Sequence, residues 1–271
     1  MNLKLFADRL EIYFNYYVKS KTIFQIHSPF IHHFLNAVFD ADRIYYDFRT
    51  IEQYWRQIMD DAHEIPSSEF GSLHQQSLKQ VKTFAAKAIS QPSHYEILYR
   101  LVYYLKPQKS LELGSCLGMS SLAMALGNRE QLLTTVEGNT FLAEYCKQTF
   151  DKYQINNIHV INLLFSEFLK DHQLESYNLV FLDGDHHYEA TLKYSKRILA
   201  SLSANSVFVL DDIHWSKGMN RAWKEIIHWP EVQCSLETQR LGFLFKSPKI
   251  TKGNFVFIPY RFKPWSIGLF G

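Results

Sequence analysis

The sequence predicts an α/β fold, a doubly wound and largely parallel sheet preceded by a helical N-terminal extension. Three observations carry that expectation. From residue 109 onward, short apolar runs alternate with stretches of helical period, the rhythm of strand, helix, strand. Several of those runs stop at an acid or a glycine, where a strand of such a sheet gives way to a ligand-facing loop. Before residue 62 the pattern is helical and lacks the alternation.

Taken in order, "HSPFIHHFLNAVF" offers Ser28 as an N-cap and Pro29 at the first helical position. "TIEQYWRQIMDD" predicts a further helix, with the adjacent His32 and His33 of the preceding one on a helix surface. "EIPSSEFGSLHQQ", residues 64–76, breaks the pattern with Pro, Ser and Gly. Residues 1–62 are therefore expected to form a helical cap and residues 63–271 the α/β domain. "SLKQVKTFAAKAIS" and "HYEILYRLVYYL" predict two more helices, divided at Gln91 and Pro92. Strands then follow in "SLELG", "LLTTVEG", "IHVINLL", "YNLVFLDGD" and "SVFVLDD", each succeeded by a helical stretch. "VQCSLET" and "LGFLFKS" have no helix between them. They predict an antiparallel pair, because a parallel crossover needs roughly a dozen residues or more.

Composition narrows the function classes. The chain has 271 residues, 46% hydrophobic and 21% charged, ordinary for a soluble globular protein. Its 29 basic residues against 27 acidic argue against a duplex nucleic-acid partner. Cys116, Cys146 and Cys234 lie far apart and complete no zinc spacing with the histidines, which predicts a reducing, cytoplasmic setting. No apolar run reaches the roughly 20 residues of a membrane span. The aromatic, basic tail "YRFKPWSIGLFG" reads as a docked terminus or a homodimer contact.

The chemistry concentrates in "LELGSCLGMSSLAMA", residues 111–125. Gly114 and Gly118 stand where the backbone can wrap a ligand, and the helix beginning near Gly118 to Ser120 turns unpaired N–H groups toward it. Glu137 follows about twenty residues on, where a carboxylate accepts both hydroxyls of a ribose. Such an acid suits a nicotinamide dinucleotide and S-adenosylmethionine equally. Cys116 fills the place of the glycine that lets a pyrophosphate approach, which argues against a dinucleotide. The strand-end acids Glu112, Glu137, Asp183, Asp211 and Asp212 suit a cationic sulfonium better than a phosphate. S-adenosylmethionine is therefore the expected cofactor.

With "TTVEG", "YNLVFLDGDHHYEATLKY" and "FVLDDIHWS", that stretch resembles the class I S-adenosylmethionine-dependent methyltransferases, most nearly the small-molecule O-methyltransferases of the catechol and caffeoyl-coenzyme A type. The resemblance covers about residues 75–247. It implies a Rossmann-like, seven-stranded sheet with the last strand antiparallel. It places Glu112, Gly114, Gly118 and Ser120 around the methionine end of the cofactor and Glu137 on the ribose, with Asp183 at the edge of that site. In the catechol-type enzymes an aspartate after the fourth strand and an Asp-Asn pair after the fifth bind magnesium. Asp183 and Asp211 match, whereas Asp212 replaces the asparagine, and this added charge tilts the reading toward no obligatory Mg2+. His186 stands where those enzymes place a basic lysine and is the expected general base, with Asp183 beside it; His187 is the alternative. His214 and Trp215 would wall the acceptor pocket, and Cys116 would serve in packing.

The expected activity is O-methylation of a small hydroxylated molecule. The rival readings are an RNA or protein methyltransferase and a non-catalytic S-adenosylmethionine-binding protein. No Pro-Cys nucleophile and no N-P-P-Y-like motif occur, which disfavours cytosine C5 and adenine N6 methylation.

Overall fold

The computed structural model describes residues 3–66 and 79–266. In chain order, helices α1 (Leu3–Lys19), α2 (Pro29–Val38) and α3 (Phe48–Asp60) precede two short strands, β1 (Glu64–Ile65) and β2 (Lys79–Gln80), which pair antiparallel. The loop expected over residues 64–76 opens on β1, and its remainder from residue 67 lies outside the described residues. Helices α4 (Val81–Ala88) and α5 (Pro92–Leu105) follow, and Pro92 begins the second of them.

The alternation then runs β3 (Lys109–Leu113), α6 (Met119–Gly127), β4 (Leu132–Val136), α7 (Thr140–Lys152), β5 (Ile158–Ile161), α8 (Phe165–Asp171), β6 (Leu179–Leu182), α9 (Tyr188–Ser201), β7 (Val207–Leu210) and α10 (Lys217–Ile226). Strands β8 (Cys234–Glu237), β9 (Gly242–Phe245) and β10 (Gly253–Val256) complete it. The class is the expected α/β one.

The chain forms two compact units, one of Met1–Asn36 with Gln173–Gly271 and one of Ala37–His172. The divisions therefore fall after Asn36 and after His172, and residues 1–62 are shared between the units. In the second unit β3, β4 and β5 run parallel, with Glu112 opposite Thr135 in register. Helix α6 is buried along its whole length, so its apolar sequence is core on every side.

In the first unit β6 and β7 are parallel, β8 and β9 are antiparallel, as the missing helix predicts, and β9 is antiparallel to β7 as well. Strand β10 then adds parallel to β8. Leaving aside the β1–β2 pair, the described residues give five strands here and three in the other unit, one more than the seven implied by the resemblance, and β10 is the addition. Its side chains are only partly buried, so the segment carries no strong apolar run to announce it. Every residue of β6, β7 and β9 is buried. Phe34 of α2 lies 5.3 Å from both Phe243 and Phe245, edge on, sealing one face of β9. A Cβ at Gly242 would meet the Trp223 ring at 2.5 Å, so glycine is what lets α10 seat its indole there.

Candidate functional site

In the second unit the chain leaves β3 through a turn with three left-handed residues, Gly114 (φ 108°), Cys116 (φ 49°) and Gly118 (φ 77°). Gly118 is fixed by sterics as well, since a Cβ would sit 3.0 Å from the Phe150 ring and 3.1 Å from the Cys146 sulfur. Cys116 adopts this conformation with a side chain, an uncommon arrangement that marks a constrained loop. Its carbonyl accepts from the Cys146 thiol at 3.4 Å, and neither cysteine is in a disulfide.

Two buried carboxylates flank the turn. Glu137 follows β4 and is 9% exposed. Its Oε2 accepts from the Cys116 N–H at 3.0 Å and its Oε1 from the Asn139 N–H at 2.9 Å. Burial raises its carboxyl above the ordinary range, and the backbone donors of Asn139, Cys116 and Gly138 oppose the rise. Each oxygen keeps a second lone pair, so ribose hydroxyls can add to the bonds already made. Asn139 in turn caps α7, its side chain accepting from the Leu142 N–H at 3.1 Å.

Glu112 is completely buried. Its Oε2 accepts from the hydroxyls of Thr135, at 2.6 Å, and of Ser121, while its Oε1 has no hydrogen-bond partner among the described residues. An orphaned buried carboxylate oxygen beside a glycine turn fits a cationic or N–H-bearing ligand group. Burial raises this carboxyl to about 6, although the hydroxyls of Ser120, Ser121 and Thr135 pull it down. The folded protein therefore holds this proton more tightly than the unfolded chain, and stability falls as pH rises from 4.5 to about 6. The shift corresponds to roughly 2 kcal/mol. Glu112→Gln should flatten that part of the stability profile, so that denaturant titrations show the parent losing on the order of 1 kcal/mol relative to the variant across this interval. Parallel profiles would contradict the assignment.

Tyr54 was not singled out by the sequence. It is fully buried, and its hydroxyl donates to the Leu117 carbonyl inside the turn. Helix α3 thus belongs to the architecture of the turn, and removing residues 1–62 would remove this prop. Its only signal in the sequence is a tyrosine on the apolar stripe of α3, with Phe48, Ile51 and Ile58.

In the first unit the acids after β6 and β7 surround His186. Its Nε2 lies 3.6 Å from Asp183 Oδ1 and 3.9 Å from Asp212 Oδ2. Asp185 (φ 49°) and Asp212 (φ 52°) are both left-handed, which aspartate tolerates better than most residues and which shapes the two loops. His187 pairs instead with Asp185, Nδ1 to Oδ1 at 2.9 Å, and its side chain is exposed.

Asp211 does not join the cluster. It is fully buried and held bidentate by Arg240, with Nε to Oδ1 and Nη2 to Oδ2 both at 2.7 Å. Arg240 Nε also lies 3.1 Å from Asp212 Oδ1. Burial works against the guanidinium's charge, but Asp211, then Asp212 and Asp183, hold its pKa above the ordinary arginine value.

One ligand atom from each of Asp183, His186 and Asp212 falls within 4.8 Å of the others. Mg2+ demands near-octahedral oxygen ligation. This cluster offers an imidazole nitrogen and two carboxylates, with the third acid committed to a guanidinium, so it is not the three-carboxylate oxygen site expected from the sequence.

His214 and Trp215 each engage neighbouring groups. The His214 ring lies between the Gln239 carbonyl, 2.9 Å from Nδ1, and Glu237 Oε1, 3.1 Å from Nε2. Trp223 Nε1 donates to the other oxygen of Glu237 at 2.7 Å. Trp215 is half exposed and carries the Arg9 guanidinium 3.9 Å above its ring, while Lys217 pairs with Asp8 and Glu11. These contacts dock α1 on the loop after β7 and on α10.

Residues 111–213 match the family model described as a methyltransferase domain. No curated protein matches the chain. Solved structures share the fold at low identity. An O-methyltransferase from Bacillus cereus in complex with SAH has a TM-score of 0.55 at 15% identity, over 80% of this chain and 97% of that one. The O-methyltransferase TomG from Streptomyces achromogenes, involved in tomaymycin synthesis and solved with SAM, gives 0.55 at 14%, over 78% and 95%. An SAH-bound methyltransferase from Podospora anserina gives 0.54 at 16%, over 76% and 98%. Residues 111–213 are thus similar to a methyltransferase domain, and the chain shares the α/β fold of these solved structures. No helix among the described residues is long and apolar enough to cross a membrane.

Proposed function

We propose that the protein binds S-adenosylmethionine at the turn of residues 112–139 and methylates an oxygen of a small hydroxylated molecule. The observation that carries the proposal is the pair of buried carboxylates, Glu112 and Glu137, on a glycine turn whose central position is a cysteine. That turn rejects the close approach of a pyrophosphate and offers negative charge to a sulfonium ligand. The solved neighbours that carry SAH or SAM support the same cofactor.

The cofactor supplies an electrophilic methyl group on a positively charged sulfur. Glu137 accepts the ribose hydroxyls, and Glu112, through its unpartnered oxygen, receives the donors at the methionine end. Gly114, Gly118 and Ser120 shape the turn around it. His186 takes the proton from the acceptor hydroxyl, leaving an oxygen nucleophile for in-line displacement. Asp183 and Asp212, 3.6 and 3.9 Å from its Nε2, orient the ring and stabilise the imidazolium that forms. A small acceptor is favoured over RNA because the chain carries only two more basic than acidic residues.

The test is a methyl-release screen with purified protein and S-adenosylmethionine over phenols, acyl thioesters, sugars and unmodified RNA. Turnover confined to hydroxylated small molecules supports the reading. Turnover only on RNA would replace it.

A further inference from the structure

We infer that Arg240 is a built-in cation of the strand-end acid cluster and closes that cluster to a divalent metal. The inference deepens the proposed function and rests on it for the role of the cluster, though not for its chemistry. Three carboxylates, Asp183, Asp211 and Asp212, follow two neighbouring parallel strands, and like charges so placed require a cation, a proton or donors to relieve them. The guanidinium supplies that relief. It forks onto both oxygens of Asp211 at 2.7 Å and reaches Asp212 Oδ1 at 3.1 Å, and Asp183 adds to its electrostatic stabilisation.

The geometry of the fork has two consequences. Asp211 is fully buried beneath it, so a metal seeking that carboxylate would have to displace a charged, bidentate partner from a buried site. The Asp212 N–H also donates to Asp211 Oδ1 at 2.7 Å, so the same fork sets the left-handed backbone that turns the Asp212 side chain toward His186. Arg240 is thereby a positioning residue. It replaces the ordering that a divalent ion would give and leaves proton transfer to the imidazole. The acid at position 212 and the arginine at 240 act as one device, a negative and a positive charge 3.1 Å apart.

The test is titration of the full chain with Mn2+, followed by electron paramagnetic resonance of the free ion and checked for folding by circular dichroism. The parent should leave Mn2+ free throughout. Arg240→Gln should bind it saturably and at least about tenfold more tightly, the change that ~1.4 kcal/mol brings. Because Arg240→Gln leaves Asp211 buried and unpaired, the charge-conserving double variant Asp212→Asn with Arg240→Gln is the second test, and it should also acquire Mn2+ binding. Saturable binding by the parent overturns the inference without any variant. A folded double variant that binds no Mn2+ overturns it as well. S-adenosylmethionine affinity measured on the same samples reports separately on the cofactor reading, since none of these residues belongs to the turn of residues 112–139.

Discussion

Replacing His186 with alanine should lower methyl transfer by about a hundredfold or more while leaving S-adenosylmethionine affinity unchanged, because general-base catalysis is worth roughly 10²–10⁴. Among the described residues His186 is the one imidazole that faces both Asp183 and Asp212, whereas His187 is drawn away by Asp185 and His214 is held by Glu237 and the Gln239 carbonyl. A base acting on the acceptor affects turnover, not cofactor binding, so the two readouts should separate. Exogenous imidazole should restore part of the lost rate, as a structural role would not. Unchanged turnover in the variant would remove His186 from the chemistry.

The second large effect concerns Glu137. Glu137→Ala should weaken S-adenosylmethionine binding by about a hundredfold or more, since it removes two charge-assisted hydrogen bonds worth roughly 1.5–3 kcal/mol each. The same change deprives the Cys116 and Asn139 N–H groups of their acceptor and loosens the turn, which adds to the loss. Glu137→Gln keeps one carbonyl acceptor and should fall between parent and alanine. Calorimetric titration of the three proteins checks the order. Equal affinities would place the ribose elsewhere.

Much of this was legible in the sequence, for reasons that differ from element to element. Strands β6 and β7 are unbroken apolar runs closed by acids, so both their existence and their ends could be read. The antiparallel β8 and β9 followed from the missing helix between them. Glu112 and Glu137 stood at strand ends by the same logic, and the structure places both beside the glycine turn. Strand β10 escaped because a short, half-exposed segment has no strong pattern.

Long-range partners were the other limit. Nothing in the local sequence links Arg240 to Asp211, 29 residues earlier, or Tyr54 to Leu117, 63 residues later. Two adjacent aspartates look equivalent in a string. The left-handed turn at Asp212 leaves Asp211 forked by Arg240 and sets Asp212 between Arg240 and His186. Ser121 was passed over for Ser120, although the structure has the Ser121 hydroxyl donating directly to Glu112. Helix α3, read as part of a cap over residues 1–62, lies in the same unit as the glycine turn, to which Tyr54 ties it.

The central claim is that the turn around Cys116 is built for a sulfonium nucleoside and not for a dinucleotide. Calorimetric titration of the parent protein with S-adenosylmethionine and, in parallel, with NAD tests it most directly. The account predicts saturable binding of S-adenosylmethionine, lost in Glu137→Ala, and no heat of binding with NAD. Saturable NAD binding with S-adenosylmethionine inert would contradict it.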